Sequence, residues 1–184
     1  MAHQLILGEL KDFLTGDVLS DTLDERYRQK IARLLVEEKG YFPSEIAVRR
    51  RLTVRADERT ASVPVDFTVS LHGRICMVVR FGPGSLVTRH RPSLAVSRLL
   101  TGALVPVVVV TNGEDADILD GRTGKIQGEG LGAIPGREAL SDIAAAHPLA
   151  AISEGRAEKE ARIVYAFEVD GACSCDDTVC RLDS

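Results

Sequence analysis

The sequence has no tryptophan, and aromatic residues make up only 4% of its 184 positions. A platform that stacks successive unpaired bases is built from such rings, so that class of nucleic-acid binder is poorly supported. No stretch approaches the roughly 18 to 20 consecutive apolar residues of a membrane helix, and membrane partners are not expected. The opening MAHQLILGELKDF has neither a basic leader nor a cleavable apolar run, which points to a cytoplasmic chain. With four cysteines and no export signal, a disulfide scaffold is not expected. Sequence repeats are absent, as are the G-x-S-x-G and phosphate-cradling G-x-x-x-x-G-K-[ST] patterns. His3, His72, His90 and His147 show no ligand spacing. GEGLGAIPG, residues 128–136, does not sit between a first strand and its helix as a nucleotide fingerprint must. The most consequential gap is acidic: from Phe67 through Gly113 there is no Asp or Glu.

What is present is an uneven charge. Between Arg26 and Arg98 there are 15 Lys and Arg against 6 Asp and Glu, whereas the chain as a whole carries −4. A basic body within an acidic periphery suits a phosphate-bearing partner; a solvated Arg-rich face is the plainer alternative.

The length suits one α/β domain, residues 21–150, with an N-terminal amphipathic extension over 1–20 and a C-terminal helix and cysteine-containing tail over 151–184. Leu5, Ile6, Leu10, Phe13 and Leu14 have helical spacing and predict a short docking helix. Thr22 and Glu25 form a capping-box pair ahead of Tyr27, Ile31, Leu34 and Leu35, and Gly40 ends that helix. Ile46 to Val54, Val63 to Leu71 and Ile75 to Val79 predict a three-stranded meander, with His72 and Gly73 at its second turn. A helix through Leu94, Val96, Leu99 and Leu100, with Pro92 near its start, crosses to the buried strand PVVVVT. A return strand through Asp117 to Leu119, an irregular glycine-rich connector, and helices over 137–146 and 154–169 complete a mixed sheet flanked by helices. Ala157, Ala161, Val164 and Phe167 mark the packed side of the last helix, and the tail from Ala172 is expected to be loose.

The block from Tyr27 to about Lys125 also carries a resemblance. The run YRQKIARLLVEEKGY, then Ile46-Ala-Val, PVDFTV, CMVVRFGPGS and VPVVVVTNGEDADIL resembles the N-terminal nuclease domain of type I restriction enzyme R subunits, one of the PD-(D/E)xK nucleases. The resemblance implies a restriction-endonuclease-like mixed sheet. It also implies an Asp on the second strand and, on the third, a Glu followed two residues later by Lys, the acids holding a divalent metal. Asp66 matches the first acid. If His72, Gly73 and Arg74 form the hairpin loop, Asp66 faces Arg80, where the second acid belongs, and Gly82 stands at the Lys position. The motif is therefore broken, and Asp66 and Arg80 are expected to neutralise each other as an ion pair.

The expectation is a catalytically inactive domain that binds DNA through phosphate contacts, or a protein partner, without cutting. Arg49, Arg50, Arg51, Arg55, Arg89 and Arg91 are the candidate contacts, with Arg59 and His90 beside them. No cofactor is expected. The alternatives are a Mg²⁺-dependent endonuclease rebuilt with an acid from the first helix (Glu25, Glu37 or Glu38) and a homo-oligomeric assembly domain. Cys173, Cys175 and Cys180 form a C-x-C-x4-C cluster short of a fourth zinc ligand and are weak metal candidates. Cys76 reads as a core residue. Asp115, Asp117 and Asp120 lack the glycine of a calcium loop and read as a surface hairpin.

Overall fold

The computed structural model describes residues 5–171 and 180–182. Its main sheet runs in the order β3 (Ile46–Ala56), β4 (Arg59–Leu71), β5 (Arg74–Phe81), β6 (Val107–Thr111), β7 (Ala116–Asp120), β8 (Ile126–Glu129), and β5 and β6 are its parallel pair. A parallel neighbour requires a crossover, which α2 (Val87–Thr101) provides. β5 and β6 are central and covered on both faces, in keeping with their continuous apolar runs.

One face of the sheet packs against α1 (Leu23–Arg33), its π-helical continuation Leu34–Glu38, and α3 (Arg137–Ala146), through Ile31, Leu35, Phe67, Val79, Val109 and Leu140. The other face lies under α2 and α4 (Glu154–Val164), which continues as a π-helical turn over Tyr165–Val169. Beyond Asp66, the distal half of the β3–β4 hairpin carries Leu52, Val54, Val63 and Val65 onto α4. The result is a three-layer α/β/α domain with Asp66 where the long hairpin passes from one helical layer to the other.

Thr22 caps α1 as its sequence signature predicts, accepting from the Glu25 N–H at 3.1 Å. His72 and Gly73 form the second hairpin turn, both with positive φ (52° and 75°), as a tight two-residue turn requires. Arg74 therefore belongs to the strand and not to the loop. A bulge at Cys76 inserts one residue, so that beyond it Phe67 pairs Val79 as a three-residue loop would also arrange.

Five expectations are corrected. Residues 5–14 do not form a helix: Glu9–Lys11 and Val18–Ser20 pair as a hairpin, β1 and β2. Gly8 interrupts the apolar run and Gly16 follows it, both at positive φ, and the Asp12 carboxylate takes the N–H groups of Leu14 and Thr15 into a turn. The second long helix begins at Val87, so Pro92 is its sixth residue. Part of the glycine-rich connector is strand β8. On the last helix Phe167 is exposed while Tyr165 and Val169 are buried, because the π-turn shifts the phase of the packed face. In the tail, Cys180–Arg181 form β9 against Ser62 and Ala61 of β4. Cys173 and Cys175 lie outside the described residues. Among the described residues no helix is long and apolar enough to cross a membrane.

Candidate functional site

Asp66 is buried in β4, and continuing the Phe67–Val79 register by one step sets Arg80 opposite it. Its carboxylate is fully engaged. Oδ1 accepts from Nε of Arg28 at 2.8 Å, and Oδ2 accepts from the Phe81 backbone N–H at 2.9 Å with Nε of Arg80 3.8 Å away. Arg28 reaches the sheet from α1. Its guanidinium lies 4.9 Å from the centre of the Phe81 ring, which stacks in turn on Tyr27. Burial opposes its charge, but the attraction and hydrogen bond of Asp66 outweigh that, and Arg28 is held above its ordinary pKa.

From this pair the charges alternate outward. Arg80 donates through Nη2 to Oε2 of Glu168 at 2.8 Å, the π-turn after α4 placing that carboxylate against the sheet. On the other side Arg28 lies 3.8 Å from Glu25, and Arg49 joins Glu25 and Asp12 at 2.6 Å each. Gln29 donates to both of these acids. Arg49 has φ +49°, so the strand gives up regular geometry where its side chain turns to the cluster. Burial raises the pKa of Asp12, but the N–H of Thr15, Arg49, Gln29 and the N–H of Leu14 together bring it down to about 2. The ladder runs Asp12, Arg49, Glu25, Arg28, Asp66, Arg80, Glu168.

This donor set does not suit a divalent cation. Both Asp66 oxygens already face donors, and an ion near them would lie beside two guanidinium charges with Asp66 as its close carboxylate. At ~4 Å and an effective dielectric of ~20, each guanidinium repels each unit of a cation's charge by about 4 kcal/mol, and the neighbouring acids Glu25 and Glu168 are themselves paired with these two arginines. The buried Nε and Nη1 of Arg80 have no hydrogen-bond acceptor among the described residues. No group of three or more His, Cys, Asp or Glu among the described residues is arranged for a metal.

The six arginines expected to contact phosphates occupy different settings. Arg49 is drawn into the acidic ladder. Arg50, Arg51 and Arg55 are exposed on β3, with Arg51 bonded to the Oγ and carbonyl of Ser62. Arg91 is paired with Glu160 of α4. Arg89 donates to the Pro83 carbonyl, and its guanidinium fills the space beside Gly82: a Cβ there would lie 2.1 Å from Nη1. A cation thus stands near the position of the expected Lys, supplied by α2. Arg59 pairs with Asp170, and His90 with Asp117 at 2.6 Å.

Sequence reasoning missed Arg28, Asp12 and Glu168. Arg28 left a faint signal, three residues after Glu25 on one helical face; its partner Asp66 lies 38 positions away.

Residues 23–135 match the family described as Type I restriction enzyme R protein N terminus. Comparisons with curated proteins and with solved structures found no match.

Proposed function

Because the chain belongs to the family of type I restriction enzyme R protein N termini, we propose that it is a non-cleaving member that holds a nucleic-acid backbone by its phosphates. The observation that carries this reading is the pair of guanidinium groups, Arg28 and Arg80, on the carboxylate that a nuclease of this kind would give to a metal. An ion pair has replaced the ligand pair. One further feature favours phosphate contact over an apolar protein interface: the guanidinium of Arg89 beside Gly82. Such contacts position a backbone and carry no base readout.

One observation favours a second reading. Glu25 and Asp66 both approach Arg28, whose side chain is 25% exposed. If Arg28 swung outward, two acids would face one another and could be joined by a cation, which is the rebuilt endonuclease. Incubating the protein with supercoiled plasmid in Mg²⁺ and in Mn²⁺, beside a duplex-binding titration at two salt concentrations, tests both. Salt-sensitive binding without nicking is expected. Nicking lost in Asp66→Ala establishes the enzyme, and neither binding nor nicking, with a stable dimer in solution, establishes an assembly domain.

A further inference from the structure

A second cationic site lies between α2, α4 and the turn joining β7 to β8, and it shares no residue with the ladder around Asp66. Its cavity of about 550 Å³ is lined by Arg91, Arg98, Arg122, Arg156 and Lys159, answered by the single carboxylate of Glu160. That leaves four positive charges in excess. Glu160 is 1% exposed and shared three ways: Oε1 lies 2.8 Å from Nη1 of Arg98 and 3.4 Å from Nε of Arg156, while Oε2 lies 2.9 Å from Nη1 of Arg91. Arg98, at the floor, is 4% exposed. Its Nη2 donates to the carbonyls of Gly121 and Arg122, but its buried Nε has no hydrogen-bond partner among the described residues.

A buried guanidinium with an idle donor is costly, and three arginines around one carboxylate repel one another. Burial lowers the pKa of Arg98, and although Glu160 pulls it upward, Arg156 and Arg91 leave it below its ordinary value. Added negative charge in the cavity offsets the repulsion among these guanidinium groups. We infer that this cavity is a binding site for a soluble polyphosphate, such as the phosphate chain of a nucleoside triphosphate. Its volume falls within the roughly 300–1,000 Å³ of small-molecule sites. Leu94 is its one apolar wall, so charge supplies the affinity. Forked guanidinium groups converging from two helices suit linked phosphates, whose oxygens accept bidentate pairs.

The inference does not rest on the reading of Asp66, and the two can fail separately. The test is calorimetric titration of the full chain with inorganic tripolyphosphate at fixed ionic strength, with sulfate as control. We expect binding that saturates at one equivalent and is much tighter than for sulfate. Arg122→Glu and Lys159→Glu alter exposed side chains, so they should fold normally and each weaken binding by about tenfold or more. Arg89→Glu, at the other site, should leave it unchanged. Unsaturable heats, equal binding of sulfate, or unchanged affinity in both charge reversals would overturn the inference. Displacement of bound tripolyphosphate by a short DNA duplex would overturn the assignment to a soluble ligand and give the site to a nucleic-acid backbone.

Discussion

Replacing Asp66 by Asn separates an ion-pair ladder from a metal site by the sign of its effect on stability. In a cluster of acids built for a cation, removing one carboxylate relieves like-charge repulsion in the metal-free protein, and stability is unchanged or rises. Here Asp66 takes a charged hydrogen bond from Arg28 and a backbone hydrogen bond from Phe81, and lies 3.8 Å from a guanidinium that is 7% exposed. The Asn carbonyl can keep one of these bonds, but its amide turns donors toward donors and leaves two cations short of an anion. Breaking one partner of a buried pair costs ~3–5 kcal/mol. Since Arg28 is partly solvated and Arg80 retains Glu168, the lower end applies, about 3 kcal/mol. For a domain of this size that lowers Tm by ~6–12 °C. Urea unfolding by circular dichroism, without divalent ions, reads it as a lower midpoint at constant slope. A Asp66→Asn protein equal to or more stable than wild type refutes the ladder.

Asp12 is held near pKa 2, below the ordinary aspartate value of 3.8, so its contribution is complete above pH ~4 and lost as the pH falls toward 2. That contribution is about 2 kcal/mol, and Asp12→Asn should show both a lower urea midpoint at pH 6 and a flatter loss of stability between pH 4 and 2. Glu160→Gln leaves Arg98 buried without its counter-charge and should destabilise by ~3 kcal/mol, an effect that added tripolyphosphate partly reverses in a thermal melt. Gly121→Ala would place a Cβ 1.7 Å from the Val105 carbonyl oxygen, and the backbone displacement should cost about 3 kcal/mol by denaturant titration.

The meander, the crossover and the last two helices are legible in the sequence because each carries its own local periodicity. The apposition of Asp66 and Arg80 is also legible, although the loop that implies it is not the loop observed. A two-residue turn followed by a bulge at Cys76 yields the same pairing as a three-residue turn, since both offset the strands equally beyond Met77. The N-terminal hairpin was hidden because ten residues of helical spacing are too few to outweigh a glycine within the run, another just after it and a carboxylate that captures turn N–H groups. The ladder was largely invisible for a different reason. Arg80 and Glu168 are 88 positions apart, and no periodicity in one element reports a charge arriving from another. The cation beside Gly82 was hidden likewise: the motif reads as lacking its Lys, while Arg89 delivers a guanidinium to that space from seven residues on.

The most direct test of the central claim is a crystal structure of the wild-type protein grown in manganese and measured for anomalous scattering. The account predicts no anomalous peak near Asp66, with the guanidinium groups of Arg28 and Arg80 still on its carboxylate. A manganese ion bound by Asp66 together with Glu25, and Arg28 turned away, would contradict it.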